Sequence, residues 1–415
     1  MRAATLIAAS MLALSHPRIA ADEDARFQQD RFGIIVYNDM PEEGDIDACY
    51  REIAEANFTV VLVSGDKATM LRKMDVCEQL GMAAITLQMD AAPEEYVDHP
   101  VSWGYGIRDE PGVEDFADLA PIVDGIHAEH PGKLGLINLF PSYAAPWAQL
   151  GAETYEEYVQ LFMEQVDVDV LCMDHYPRFR PDEPDTRDDY CADLDTMRRH
   201  ALKKGIPFWN CFNAMPFGAH TDPTEAQMRW QMHASVAYGA KGLVYFCYVT
   251  PDITGPGGLF EFPKGGAVIT AEGKRTRHYE QSKRLNFALK NLGPTLMKLT
   301  SAQVIRITPN DEPRVKLAGS PIVDLGRADY DPRHDMLVGV FNHKDGRRAV
   351  FLMNYHFAYT QWPTVVFDAP VGDVTEVSQE TGQEVPLLDD SPKLDGLQLS
   401  LDAGQGRLFL LPAKE

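Results

Sequence analysis

Short apolar segments alternate with amphipathic segments along most of the chain. Eight of the apolar segments predict strands: Phe32–Tyr37, Phe58–Ser64, Ala83–Met89, Val101–Arg108, Leu134–Leu139, Val168–Met173, Pro207–Phe212 and Gly242–Cys247. They are continuous apolar runs rather than alternating ones, which is typical of parallel strands covered on both faces. The pattern therefore predicts a parallel sheet buried between helices.

The segments between these strands show helical spacing of apolar residues. The predicted helices are Asp47–Ala56, Ala68–Leu80, Val113–Glu129, Thr154–Gln165, Tyr190–Lys204, a helix that begins at Asp222 and stops at Gly239, and Thr276–Asn291. For the helix before Gly239, Asp222 is the predicted N-cap, with Pro223 at the first position and Glu225 completing a capping box. The third crossover, Ala91–Pro100, is too short for a full helix. Eightfold alternation predicts a (β/α)8 barrel over residues 22–298.

The pattern changes after about Leu299. Strand-like segments separated by Gly, Asp, Asn and Pro follow one another: Val304–Ile307, Met336–Phe341, Ala349–Asn354, Thr364–Phe367, Val374–Gln379 and Leu397–Leu411. No convincing helix remains in this part of the sequence. We therefore expect residues 299–415 to form an antiparallel β-sandwich.

Composition narrows the functional classes. The 415 residues include 62 acidic and 38 basic side chains, a net charge of −24, without a block of Lys or Arg. This balance argues against nucleic acids and anionic membranes as partners. No Gly-x-Gly-x-x-Gly follows the first strand, which removes the dinucleotide-binding interpretation, and no Gly-x-Ser-x-Gly marks a serine nucleophile. No cofactor or metal is implied.

The N-terminus has the features of a signal peptide, predicted here as residues 1–21. Arg2 is followed by the apolar run Ala3–Leu14 and by the small residues Ala20 and Ala21. We therefore expect a secreted or periplasmic protein, without a membrane anchor after cleavage. Export permits disulfides, but the spacing of the six cysteines predicts at most one structural bridge.

The most informative stretch is Trp103–Pro111, a predicted strand that ends in two adjacent carboxylates. Pro111 cannot donate to a sheet ladder, so the strand must stop with Asp109 and Glu110 at its carboxyl end. In a (β/α)8 barrel the loops at that end of the strands build the active site.

Other strand ends carry polar and aromatic side chains as well. The candidates at this rim are Asn38 and Asp39 after the first strand, Asp174 and Tyr176 after the sixth, Asn213 after the seventh and Tyr248 after the eighth. Aromatic rings stack on sugar rings, amides and acids bind hydroxyls, and one acid can protonate a leaving oxygen. Their recurrence at one rim predicts a carbohydrate site.

Four segments carry a resemblance to a known group of enzymes. Trp103–Pro111, Met173–Pro177, Gln227–Tyr248 and Gly273–Leu296 together resemble glycoside hydrolase barrels of the family 42-like, clan A type, and Leu399–Leu411 resembles the β-sandwich that often follows them. The resemblance implies hydrolysis of O-glycosidic bonds in an oligo- or polysaccharide, with Glu110 as general acid/base.

The sequence departs from that group at the seventh strand. Barrels of this clan usually carry a nucleophilic glutamate there, whereas Trp209–Pro216 contains no carboxylate. Asp174 is one replacement; Glu261, in the loop after strand eight, is another. The Asp109–Glu110 pair also resembles N-acetylhexosaminidases, in which the substrate acetamide is the nucleophile, an Asp orients it and an inward tyrosine such as Tyr176 or Tyr248 assists.

Two alternatives remain open from the sequence. If Glu110 faces the barrel mouth, strand alternation turns Asp109 outward unless the chain bends before Pro111. A barrel that kept the rim but lost the nucleophile would bind carbohydrate without hydrolysing it.

Overall fold

A computed structural model describes residues 26–41, 43–89, 95–180, 182, 185–251, 262–263, 265–326 and 334–414. The predicted signal peptide and Glu261 lie outside these ranges. Within them the predicted fold class is confirmed, with a closed parallel barrel followed by two antiparallel sheets.

Eight strands close the barrel in chain order. They are β1 Gly33–Val36, β2 Val60–Val63, β3 Ala83–Leu87, β4 Ser102–Asp109, β5 Leu134–Leu139, β6 Leu171–Asp174, β7 Phe208–Asn213 and β8 Gly242–Phe246. Closure comes from parallel pairing of β8 with β1, in which Gly33 lies opposite Gly242. All eight predicted strands are present, and most bounds agree within two residues.

Seven helices accompany these strands. They are α1 Ile46–Glu55, α2 Lys67–Leu80, α3 Phe116–Glu129, α4 Tyr155–Gln165, α5 Arg187–Lys204, α6 Glu225–Tyr238 and α7 Arg277–Leu296. The described part of the third crossover, residues 95–100, contains no α-helix, as its length predicted.

The predicted start of α6 was wrong by two residues. Its N-cap is Thr224, whose side chain accepts from the Gln227 amide, and Gln227 rather than Glu225 completes the capping box. Asp222 instead accepts from His278 at 2.7 Å and pairs with Arg277. An N-cap side chain accepts from an amide two or three residues further along the chain. Asp222 precedes Gln227 by five residues, so it lies too far from that amide to cap the helix. The predicted stop at Gly239 is confirmed, in a left-handed conformation with φ of 99°.

The C-terminal region is a sandwich of two antiparallel sheets. Its elements are β9 Leu299–Ile307, α8 Pro313–Lys316, β10 Ile322–Gly326, β11 Met336–His343, β12 Arg348–Asn354, β13 Thr364–Phe367, β14 Thr375–Val377, β15 Glu384–Pro386, β16 Leu397–Gln398 and β17 Gly406–Leu411. One sheet has the order β10-β13-β16 and the other β15-β14-β17-β12-β11-β9. The sequence pattern missed β10, β15 and the single turn α8, and it merged β16 with β17.

One face of the six-stranded sheet packs on the three-stranded sheet, and the opposite face packs on the barrel. Leu337, Phe341 and Phe351 belong to the same apolar cluster as the helices and the outer strand faces of the barrel. Helix α6 lies between the two and is buried on almost every side. The barrel and the sandwich therefore share one continuous core.

The barrel interior is filled at its amino-terminal end. Trp103 and Trp209 meet there with ring centroids 5.9 Å apart, and the Trp209 indole donates to Gln29 Oε1 at 3.0 Å. All six cysteines are free thiols, so no disulfide fastens the chain. No helix in the described ranges is both long and apolar enough to cross a membrane.

Candidate active site

A cavity of about 320 Å³ opens at the carboxyl end of the barrel strands. Every barrel strand or the residue directly following it contributes to its wall. The polar lining consists of Tyr37, Arg108, Asp109, Glu110, Asn138, Asp174 and Tyr176, and the apolar lining includes Leu62, Leu87, Met89, Leu136, Phe217, Val244, Phe246 and Phe262. Three carboxyl groups thus share one small cavity.

The end of β4 is bent in two places. Its register against β5 shifts between Gly106 and Arg108, and Asp109 then pairs with Asn138. Such a bulge changes the side to which the following side chains point, so Asp109 joins Asn138 on the cavity wall. At the next residue, Glu110 has a left-handed backbone with φ of 48°, and its amide donates to the Asn138 carbonyl at 2.8 Å. The alternation conflict is resolved by a bulge and a turn, which together bring both carboxylates to the cavity.

Asp109 and Glu110 are exposed at the cavity, although the protein atoms around each carboxyl reduce its solvation. Partial burial, together with the charge of Asp109, raises the pKa of Glu110 to about 7. Burial also raises the pKa of Asp109, although the Asn138 amide opposes this by donating to its Oδ1 at 3.0 Å. Asp109 therefore ionises before Glu110, and Glu110 keeps a proton close to neutral pH.

Asp174 lies deeper in the same cavity, at the end of β6, and only 6% of it is exposed. Its Oδ1 has no hydrogen-bond partner among the described residues. Burial, followed by the charges of Glu110 and Asp109, raises its pKa well above the usual range. A buried acceptor without a partner is costly to maintain, and such groups are concentrated at sites that bind a ligand.

Aromatic rings form one wall of the cavity, and this wall adjoins Asp174. Tyr176 stands edge-on to Phe217 and is tilted against Phe246, with ring centroids 5.3 Å apart in both pairs. Tyr37 and Phe262 continue this wall on either side of Phe246, at 6.0 and 6.3 Å. An aromatic wall in the same cavity as a group of carboxyls suits a ligand that has apolar faces and hydroxyl edges, as a sugar ring does.

Four of the predicted sugar contacts do not line this cavity. Asn38 donates from Nδ2 to the Val249 carbonyl at 2.7 Å. Asp39 is buried, accepts from the Tyr50 hydroxyl at 2.5 Å and forms an ion pair with Lys73 at 2.7 Å. These contacts fix the loop after β1.

Asn213 and Tyr248 do not line the cavity either. Asn213 accepts at Oδ1 from the Met215 amide at 3.1 Å and so shapes the turn after β7. Tyr248 is fully buried and packs edge-on against Phe58, with centroids 5.5 Å apart. Of the predicted site residues, the structure brings together Asp109, Glu110, Asp174 and Tyr176.

The sequence interpretation missed Asn138 and most of the aromatic wall. Asn138 follows Leu136 by two residues on β5, so it shares the inward face of that strand. Phe246 follows Val244 on β8 in the same way. Counting every second residue from a core position of each strand would have identified both Asn138 and Phe246. The sequence interpretation instead took its candidates mainly from the residues that follow the strand ends.

A metal site is not formed in the part of the chain described, since no group of three or more His, Cys, Asp or Glu side chains could hold an ion. The three carboxyls of the cavity share its wall without converging as a set of metal ligands.

Comparison with known proteins gave structural matches only. No family model and no curated protein sequence matches the chain. Among solved structures, a GH5_18 protein from Bifidobacterium longum, bound to Manb1-4GlcNAc, shares 10% identity at a TM-score of 0.46 and covers 61% of this chain and 78% of its own. A GH51 arabinofuranosidase from Xanthomonas axonopodis pv. citri shares 11% identity at a TM-score of 0.46, over 91% and 95% of the two chains.

A third structure is a β-galactosidase from Halorubrum lacusprofundi, with 14% identity and a TM-score of 0.44. The match covers 63% of this chain and 58% of the β-galactosidase, so this chain spans less than two thirds of that protein.

Proposed function

We propose that this protein hydrolyses O-glycosidic bonds of an oligo- or polysaccharide and that Glu110 is its general acid. The observation that carries the proposal is the Glu110 carboxyl on the cavity wall, with a pKa raised to about 7 beside a second carboxyl that ionises first. Glycoside hydrolysis requires a pair of carboxyl groups in different protonation states.

Glu110 meets the requirements of a proton donor. It lies at the carboxyl end of a barrel strand, its side chain is accessible from the cavity, and with a pKa of about 7 it keeps its proton in about half of the molecules at neutral pH. Its backbone is held by the bond to the Asn138 carbonyl, which fixes where the carboxyl points. A fixed donor with a pKa near the working pH is the most effective general acid.

Asp109 is the better candidate for the ionised partner. A nucleophile or general base must carry a charge, and Asp109 has the donor from Asn138 that favours its charged form. Asp174 Oδ1 has no donor among the described residues. The Tyr176 hydroxyl favours the charged form of Asp174, but burial and the charges of Glu110 and Asp109 outweigh it and raise the pKa of Asp174 well above the usual range. We assign Asp174 to a substrate hydroxyl, which would satisfy its free oxygen.

A second candidate function rests on the bulge in β4. Because the bulge brings Asp109 as well as Glu110 to the cavity, the pair could serve an N-acetylhexosaminide, with Asp109 orienting the acetamide that attacks the anomeric carbon. With a plain glycoside, Asp109 would instead activate a water molecule or attack directly.

Export is part of the proposal. The positively charged start, the apolar run and the small residues before position 22 support secretion or transfer to a periplasm. N-terminal sequencing of the protein recovered outside the cytoplasm should begin after Ala20 or Ala21, and an intact Met1 on that protein would overturn this part.

A panel of aryl glycosides tests the hydrolase proposal and separates the two candidates. We expect turnover of plain galactosides or glucosides, or of N-acetylhexosaminides, and the D109N variant should lose most of it. Turnover confined to N-acetylated sugars supports the substrate-assisted route. If neither the panel nor a range of polysaccharides is cleaved, the hydrolase proposal fails and a binding function replaces it.

A further inference from the structure

Two exposed aromatic side chains lie on the loop that follows β5, beside the cavity. Trp147 is 73% exposed and Tyr143 is 54% exposed. No other aromatic ring among the described residues stacks on Trp147. A single exposed ring on a protein surface is common, but two exposed rings on one loop at the carboxyl end of the barrel strands form a candidate binding surface.

The Tyr143 end of the loop is fastened to the cavity. The Tyr143 ring stands edge-on to His175, the residue after Asp174, with centroids 5.0 Å apart. His175 Nδ1 lies 2.6 Å from Asp193 Oδ2, and the same oxygen accepts from the Ser142 amide at 2.9 Å. One buried carboxylate therefore ties this loop to the end of β6.

The Trp147 end of the loop is fastened to the segment that follows Glu110. Trp147 belongs to a single turn, Pro146–Leu150, that begins with a bond from the Ala145 amide to Gln149 Oε1 at 2.8 Å. This turn lies so close to Gly112 that a Cβ there would come within 2.9 Å of the Gln149 carbonyl oxygen. The exposed Trp147 therefore lies on a turn that packs against Gly112, two residues after Glu110.

The cavity is too small to enclose a long carbohydrate chain. Its volume of about 320 Å³ is at the lower end of the 300–1,000 Å³ that is common for ligand sites. A carbohydrate longer than a few sugar units must therefore leave the cavity across its rim. The loop after β5 forms part of that rim.

We propose that Tyr143 and Trp147 form an outer subsite at which successive rings of a polysaccharide chain stack as the chain leaves the cavity. This inference rests on the proposed carbohydrate function and narrows the substrate to a polymer. Sugar rings present apolar CH faces that match an exposed indole, and their hydroxyls remain in water.

Affinity electrophoresis of the full chain in gels containing soluble polysaccharides tests the subsite. All proteins carry E110Q, so that binding is measured without cleavage. We expect at least one polysaccharide to retard the E110Q protein, W147A to weaken that binding about tenfold, and W147F to restore most of it. W362A is the matched control, because Trp362 is 40% exposed but lies on the sandwich; it should bind as E110Q does.

Three results would overturn the subsite. They are retardation by none of the polysaccharides, equal retardation with and without Trp147, and self-association of the E110Q protein in sedimentation that W147A abolishes, which would make the ring an interface between copies. If the polymer binds through Trp147 but the native protein cleaves neither the aryl glycoside panel nor any of the polysaccharides, the subsite stands and the hydrolase proposal falls. If the panel shows turnover but polymer binding does not depend on Trp147, the hydrolase proposal stands and the subsite falls.

Discussion

The properties of Glu110 depend on two neighbours in the same cavity. Beyond the larger effect of burial, Asp109 raises the pKa of Glu110 because two like charges close together are unfavourable, and the Asn138 amide favours the ionised form of Asp109. Asp174 adds a third carboxyl whose proton is retained by burial. As the pH rises, the three carboxyl groups of the cavity therefore lose their protons one after another, Asp109 first and Asp174 last.

A pH profile should show this order. Activity needs Glu110 protonated and Asp109 ionised, so kcat/KM should fall above about pH 7 and again on the acid side. In D109N the like charge is gone, so the pKa of Glu110 falls and the alkaline limb of the residual activity moves to lower pH. An alkaline limb that stays in place in D109N would show that another group sets it.

Asp174 should reduce stability as the pH rises. Its pKa is raised in the folded protein, so the folded state binds the proton more tightly than the unfolded state does. Stability from this group is complete below about pH 4, the usual range of an unfolded aspartate, and is lost as the pH rises towards the folded pKa. We therefore compare the Tm of D174N with that of the native protein at two pH values. The difference, D174N minus native, should be more positive at about pH 9 than at about pH 5. An equal Tm difference at both pH values would contradict this.

Strands β4 and β5 position the acidic pair as a unit. The bulge after Gly106 and the left-handed Glu110 are both fixed by pairing with Asn138. The functional geometry is thus a property of two paired strands rather than of the Asp-Glu-Pro sequence alone.

Asn138→Ala tests that role. Removing the amide that donates to Asp109 Oδ1 should raise the pKa of Asp109, by less than about one unit because water replaces the donor. The acid limb of the pH profile should move upward while the fold is retained. N138D is unsuitable as a control because it adds a charge, and C172A is unsuitable because the Cys172 thiol donates to Asn138 Oδ1. E129Q, at an exposed glutamate on α3, is the control and should leave the acid limb in place.

Most elements could be predicted from the sequence, whereas the cavity wall could be predicted only in part. Continuous apolar runs such as Leu134–Leu139 identify buried strands, because parallel strands are covered on both faces. A continuous apolar run does not itself show which of its two faces points into the barrel. Asn138 and Phe246 were missed because the alternation that links them to core residues of the same strands was not followed. Asn213 and Tyr248 were placed at the rim although local turns and core packing hold them elsewhere. The bulge at β4 leaves no local sequence signal, since it arises from pairing with β5.

At the scale of the whole molecule, the barrel and the sandwich are joined by α6. Its inner face packs on the barrel, and its outer face meets β11, where a Cβ on Gly339 would lie 2.3 Å from the Ala237 carbonyl oxygen. The helix and the sheet approach so closely that only glycine fits. We infer that the two parts unfold together.

Gly339→Ala tests this junction. Because the new methyl meets backbone that cannot move aside, we expect a loss of about 1–3 kcal/mol in the free energy of unfolding, with the single transition retained. Gly372→Ala is the control, because nothing lies within 4 Å of a Cβ at that position. Two separate calorimetric transitions in the native protein would contradict a shared core.

The role of Glu110 is tested most directly by the leaving-group dependence of E110Q. A general acid matters for poor leaving groups and hardly at all for dinitrophenolate, which departs without a proton. Against glycosides with poor leaving groups, E110Q should lose about 10²–10⁴-fold in kcat/KM, with a much smaller loss for dinitrophenyl glycosides. E129Q, at an exposed glutamate on α3, should match the native protein for both. Equal losses of E110Q on both substrate types, or none on either, would contradict Glu110 as the general acid.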